Sequence, residues 1–312
     1  MASAFHAGER AWHEREGIAE RMEEIGSRAI RDFMPDQHRE LFAELPFTLL
    51  GTVDSDGRPR ALLVCGPPGF VRSPDARTLE LHIAYASDAA ALRALTPGVA
   101  VGVLGIQPHT RRRNRANGYV ISRDAGVLAL RIQQSFGNCP KHITPRVVRF
   151  EPRGGDRAET VAGGSVLSGE PLRMVREADT FFIATSALPA RLQGEPPAGA
   201  DVSHRGGASG FVDVQTGAAH TTLIVPDYQG NYMFNTLGNL TLNAHAALLF
   251  IDFERGDLLE LAVTCRIIED QEQVARYADA QRLLELQVTS HRFEPAGCPI
   301  RLQLDSSSRV KR

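Results

Sequence analysis

A chain of 312 residues, 43 % hydrophobic and 23 % charged, is long enough to bury a core in each of two ordinary domains. Its 35 basic and 37 acidic side chains leave a net charge of −2, so no long-range field gathers nucleic acid or an anionic membrane, and a charged ligand must be met by a local cluster. No apolar run reaches membrane-spanning length, the N-terminal MASAFHAGERAWHEREG lacks the apolar core of a secretory signal, and Cys65, Cys139, Cys265 and Cys298 form no Cys-x-x-Cys pair; a cytoplasmic protein with reduced thiols and no metal centre is expected.

Ile18, Met22, Ile25, Ala29 and Phe33 recur at helical spacing, which predicts one helix over residues 9–33 that Pro35 stops. Asp36 is expected to cap a second, short helix reaching Leu45. From Phe47 the pattern turns to strands. FTLLGTVDSDGRPRALLV reads as a hairpin about Asp54-Ser55-Asp56-Gly57, followed by strands over 78–85, 99–106 and 127–136 and an Ala-rich helical piece at 88–95. Residues 151–170, rich in glycine and charge, read as a linker. Strands then resume with TFFIATSAL, a Pro/Gly loop LQGEPPAGA, and GFVDV, TTLIVP, NYMFN, AALLFIDF and LLELAVTCRII; a helical EDQEQVARYADA and a last strand at RLLELQV follow. Short strands with few long helices predict a mainly β fold: a helical segment over 1–45, a first barrel unit over 46–150, a linker over 151–175 and a second unit over 176–312.

The two units read as copies. GFV recurs at 69–71 and 210–212, an offset of 141; VAVGVLGI at 99–106 matches ALLFIDF at an offset of about 147; Cys139-Pro140 and Cys298-Pro299 close the halves. A duplicated scaffold keeps its apolar positions in both copies, whereas groups that hold a ligand survive only where a ligand is held. At offset 141, Ser203, His204 and Arg205 of DVSHRGG face Leu62, Leu63 and Val64; at 147, Asn235, Thr236, Gly238 and Asn239 of FNTLGNL face Asp88, Ala89, Ala91 and Leu92. Small residues, including Gly206 and Gly207, let backbone N–H groups come close, and the planar fork of an arginine meets an oxyanion. A guanidinium about 4 Å from a partly shielded anion contributes on the order of 4 kcal/mol.

The first half is polar elsewhere, in HTRRRNRANG with Arg113, Arg115 and Asn117 and in QSFGNCPKH with Lys141, so one composite site between the units is expected. Plainer readings stand beside it. RRRNR could be a solvated loop, above all at Arg111 and Arg112; FGNCPK could be a turn with Cys139 buried; His204 could be a core histidine; and PDYQGNYM, with Asp227, Tyr228, Gly230 and Asn231, could be only a hairpin turn.

RRRNRANG, QSFGNCPK, DVSHRGG with the following GFV, and PDYQGNYMFNTLGNL together resemble the pyridoxamine 5'-phosphate oxidase-related, FMN-binding split-barrel family, in a tandem two-barrel version covering roughly residues 40–300. The resemblance implies two antiparallel split barrels with FMN in the cleft between them, and Ser203, His204, Arg205, Asn235, Thr236 and Asn239 as leading contacts. FNTLGN lies where that family carries an Arg-Lys pair for phosphate, and it has no cation, so Arg205 and the arginines of 111–115 would supply the charge. Arg113 or Lys141 would stand beside the pyrimidine end of the flavin ring. Pyridoxamine phosphate oxidation itself is not implied.

No Ser-His-Asp order, carboxylate pair or strand-borne GxGxxG argues for hydrolysis or a Rossmann domain. The expected function is a flavin-dependent oxidoreductase using a small-molecule substrate or electron donor, with no nucleic-acid or membrane partner and further dimerisation left open. The alternatives are a non-catalytic flavin-binding sensor or carrier and a heme-binding protein on the same barrel. No catalytic residue is assigned.

Overall fold

The computed structural model describes residues 3–124, 126–152, 159–187 and 199–304. Most of the expected Pro/Gly loop, at 192–198, and the middle of the expected linker, at 153–158, lie outside them. The expected single N-terminal helix is two, α1 (Ala7–Arg15) and α2 (Ala19–Ala29). Gly17 breaks it: at φ +67° it adopts the left-handed conformation that ends helices, and Ile18 N–H turns back to the carbonyl of His13. In α3 (Asp36–Glu44) Pro35, not Asp36, holds the cap position, and Asp36 instead pairs with Arg39 one turn on at 3.0 Å.

The first sheet is built from β1 (Phe47–Val53), β2 (Pro59–Cys65), β3 (Val71–Asp75), β4 (Thr78–His82), β5 (Tyr85–Ala86), β6 (Ala100–Gln107), β7 (Arg112–Asp124) and β8 (Val127–Gly137), with the helix α4 (Ala89–Arg93) before β6. From Arg112 on, the arginine run is therefore strand rather than loop. A 3-10 turn at Pro108–Thr110 and a left-handed Arg111, φ +55°, reverse the chain so that Arg112 onward pairs with β6.

Three elements follow β8 in the chain: β9 (Arg146–Phe150), β10 (Val161–Gly163) and α5 (Gly169–Glu177). β10 and most of α5 fall in the expected linker, and β10 is a strand of the second sheet, pairing with β17 (Ala280–Glu294). The second sheet contains β11 (Thr180–Ser186), β12 (Ala200–Gly206), β13 (Asp213–Thr216), β14 (Thr221–Tyr228), β15 (His245–Asp252), β16 (Asp257–Ile268) and β17 (Ala280–Glu294), with α6 (Asn235–Leu242) before β15 and a short α7 (Gln271–Val274) before β17. NYMFN is not a strand. Tyr232 and Phe234, at φ +59° and +53°, swing the chain into α6, so FNTLGNL is the start of a helix. The last strand, β18 (Ile300–Leu304), pairs with β9.

The class is the expected one, mainly β with two antiparallel sheets in tandem, and the two sheets share one topology. The order β3-β4-β8-β7-β6-β1-β2 of the first is matched by β13-β14-β17-β16-β15-β11-β12 in the second. Leu50 lies between Leu62 and Val103 as Ile183 lies between Ser203 and Leu248. Even a β-bulge recurs, after Asn117 in β7 and after Ala262 in β16. This register keeps the 141 offset for β2 and β12 and corrects the other: β6 matches β15 at 145, and the cap positions of α4 and α6, Asp88 and Phe234, match at 146.

Each sheet wraps its own apolar core, and a third core lies between them, where Phe47, Leu49, Leu63 and Leu104 meet Phe182, Val202, Leu249 and Leu258. Burying each of these side chains contributes about 1.5–3 kcal/mol. Two glycines set the spacing: a Cβ on Gly51 would lie 2.5 Å from the carbonyl oxygen of Asp201, and one on Gly102 2.7 Å from that of Ala200. With β12 held against β1 and β6, the neighbouring β7 of the first unit faces β12 and α6 of the second.

Candidate functional site

Residues two apart on a strand share a face, and Arg113 and Arg115 of β7 both point toward β12. Arg115 is almost fully buried, 2 % exposed. Its guanidinium donates to Asn235 Oδ1 at 2.5 Å, Ser203 Oγ at 2.6 Å and the carbonyl of Val202 at 3.0 Å, and pairs with Asp201 at 3.1 Å. One side chain thus ties the first unit to both polar segments of the second. Arg113 donates from NH1 to His204 Nδ1 at 3.0 Å and has no carboxylate partner among the described residues. Burial, with Arg115 close by, pushes it down to about 10, so it stays charged at neutral pH.

These side chains line an open cleft between the units whose empty space, open mouth included, is about 980 Å³. Of the residues expected from sequence, Arg113, Arg115, Lys141, Ser203, His204, Arg205, Gly206, Asn235 and Thr236 line it. Four do not. Asn117 sits further along β7, at Gly102; Gly207 donates to the carbonyl of Asp179; Gly238 gives α1 room to pack; and Asn239 donates to Thr185 Oγ1 at 2.9 Å.

The lining carries five cations, Arg113, Arg115, Lys141, Arg205 and Arg282, against one carboxylate, Asp227. That carboxylate is taken: Arg205 pairs with it, and Arg282 donates to its other oxygen at 3.4 Å. Arg282 also meets Glu16 at 2.6 Å and lies over the rings of Trp12 and Phe234 at 4.9 and 5.4 Å. Arg205, the cation expected to dominate, is therefore largely neutralised, and Arg113 is not.

Two histidines stay neutral here. Burial first, and then Arg113 and Arg205, hold His204 well below the ordinary histidine range; burial and the neighbouring Arg113 and Lys141 lower His142 too. His142, left-handed at φ +60°, stacks on Tyr228 with centroids 5.0 Å apart, so the loop after β8 lies against β14 at the mouth. Asn138 and Cys139 of that loop also line the cleft.

Sequence reasoning missed the groups beneath the floor. Glu9 of α1, 3 % exposed, accepts from Asn235 Nδ2 at 2.5 Å and from the N–H of His6 at 2.9 Å; burial pushes its carboxyl up to about 8. Asp201, also buried, is raised for the same reason. Glu9 precedes Asn235 by 226 residues, so no local pattern announces the pair. Asp201 left a signal in the repeat, since at offset 141 it faces Arg60.

Among the described residues no group of three or more His, Cys, Asp or Glu could hold a metal ion, and no helix is long and apolar enough to cross a membrane. No family model and no curated protein matches the chain. Solved structures similar to it include a protein of Lactobacillus delbrueckii provisionally described as a pyridoxamine 5'-phosphate oxidase (13 % identity, 40 % of this chain and 93 % of that one, TM-score 0.30). An FMN-binding protein of Syntrophomonas wolfei is another (10 %, 39 % and 84 %, 0.28), as is the heme storage protein HutZ of Vibrio cholerae (14 %, 41 % and 94 %, 0.27).

Proposed function

We propose that the cleft between the units holds one anionic, ring-bearing cofactor of the FMN type and that the protein is a flavin-dependent oxidoreductase. One observation carries the binding reading. Arg113 Nε, Arg115 Nε, Arg205 Nε and Asn138 Nδ2 are buried, belong to residues that line the cleft and have no hydrogen-bond partner. All four are donors, and leaving a buried donor unmade costs about 1–3 kcal/mol, so the cleft fits a ligand rich in acceptors. A phosphate and the carbonyls of a flavin pyrimidine are such groups.

The donor set divides the work. Arg113 and Arg115, with Ser203 and Thr236, would hold the anionic group near the start of α6, a helix that no side chain caps. Asn235 is held from both sides, accepting from Arg115 and donating to Glu9, so its orientation is set before a ligand arrives. Bound flavin would supply hydride or electron transfer. The chain contributes position, exclusion of water and positive charge; Lys141 would favour an anionic reduced ring.

The visible spectrum of the purified protein and a fluorescence titration with FMN test the binding, with one equivalent and a micromolar or tighter Kd expected. A heme band, or no quenching at 100 μM FMN, sinks it. Steady-state turnover with a reductant and oxygen or a quinone then tests catalysis; a rate no higher than that of free FMN leaves a binding protein.

A further inference from the structure

The pseudo-symmetry that builds the cleft at one junction of the units places equivalent strands together at a second junction. In matched register Arg60 stands where Asp201 stands and Glu260 where Arg115 stands, so the ion pair that spans the units recurs with its polarity reversed. Leu62, Leu63 and Val64 replace Ser203, His204 and Arg205, and Leu258 replaces Arg113; all four are buried in apolar clusters. Asp88 replaces Phe234, and it does what no side chain does for α6: its Oδ1 accepts the N–H groups of Ala90 and Ala91 at 2.9 Å.

Two arginines converge on these carboxylates. Arg60 grips Glu260 with Nε and NH2, both at 2.9 Å, and reaches Asp88 at 2.8 Å. Arg292, opposite Glu260 on β17, meets it at 3.3 Å and donates to the carbonyl of Ser87 at 3.1 Å. Two positive and two negative charges cancel at this second junction. In the open cleft Asp201, Glu16 and Asp227 meet Arg115, Arg282 and Arg205, which leaves Arg113 and Lys141 without a carboxylate among the described residues.

We propose that Asp88 and Glu260 satisfy, at this second junction, cations of the kind that a ligand anion satisfies in the open cleft, so that each chain binds one anion and the second junction is a permanent lock between the units. This rests on the reading of the open cleft as an anion site and deepens it. In a chain with two equivalent junctions the default is two ligands; here the protein supplies the negative charge of one of them itself.

Equilibrium dialysis with radiolabelled inorganic phosphate at low ionic strength counts the sites. One phosphate per wild-type chain is expected, and two for the folded Asp88→Asn, Glu260→Gln variant, in which Arg60 and Arg292 lose their internal counter-ions. Two on the wild type, an unchanged count in the folded variant, or none in either overturns the proposal. Should the double variant not fold by circular dichroism, Asp88→Asn alone replaces it, with a count above that of the wild type expected and an equal count overturning. None on the wild type but one on the variant supports the role of the two carboxylates while sinking the reading of the open cleft.

Discussion

Arg113 and His204 meet across the boundary between the units at 3.0 Å, guanidinium NH1 donating to ring Nδ1. Because a guanidinium can only donate, the ring must accept, which places its one proton on Nε2. Nitrogen NMR is expected to show His204 as the neutral Nε2–H tautomer at pH 6 and above. Its pKa is depressed in the fold, so the unfolded chain binds more protons below pH 6.5 and stability falls there as pH falls. An imidazolium signal for His204 at pH 6 would show that the bond is misassigned.

The same pair ranks the cations. Arg113→Met removes the guanidinium that faces no carboxylate, and the Kd for FMN is expected to rise about 30-fold, on the order of 2 kcal/mol. Arg205→Met should cost less, because the charge of Arg205 is already met by Asp227. Arg111→Ala, at an exposed left-handed turn, should stay within about twofold. Fluorescence titration of the three variants gives the order, and equal losses at 111 and 113 would contradict it.

Glu9 makes stability fall with rising pH. Its folded pKa near 8 lies above the ordinary 4.5, so between those values the folded chain keeps a proton that the unfolded chain has lost. Stability should drop by up to about 1.4 kcal/mol per pH unit over that window from this group alone. Glu9→Gln cannot ionise. It is expected to flatten the slope of the urea midpoint between pH 5 and 8, while lowering the midpoint itself, since an amide cannot accept from both His6 N–H and Asn235. A slope identical to that of the wild type would show that Glu9 is ionised throughout.

What the sequence made legible was whatever repeats. Strand grammar, the GFV anchor and the contrast of Ser203-His204-Arg205 with Leu62-Leu63-Val64 located β12 and its equivalence to β2, because equivalent positions in two copies are a comparison that one chain can make with itself. Short elements were lost. Tyr232 and Phe234 look like strand residues, yet their left-handed backbone turns NYMFN into the approach to a helix. A solvated loop is one reading of the arginine run; Arg111 and Arg112 are indeed exposed, but from Arg112 on the chain pairs with β6 as strand, and Arg115 is buried against β12. Nothing local revealed Glu9 under Asn235, Arg282 on Asp227, or the capture of Arg205 by Asp227; these are contacts that only the fold creates.

The cleft depends on how closely the two units approach, and Gly51 sets that distance. A Cβ there would lie 2.5 Å from the carbonyl oxygen of Asp201 and 3.0 Å from Val202 Cβ. A backbone carbonyl cannot rotate away alone, so Gly51→Ala must push β12 off β1. Overpacking of this kind costs about 1–3 kcal/mol. The same shift moves Ser203 and Asp201 relative to Arg115, whose hydrogen bonds at 2.6–3.1 Å leave little room, so FMN affinity should fall together with stability. Gly164→Ala is the control, since nothing lies within 4 Å of its Cβ position, and it should change stability by less than about 0.5 kcal/mol. Urea midpoints and FMN titrations on both variants test the argument. A loss of stability in Gly51→Ala with unchanged affinity would mean that β12 yields away from the cleft, and that the site tolerates a spacing the glycine was thought to enforce.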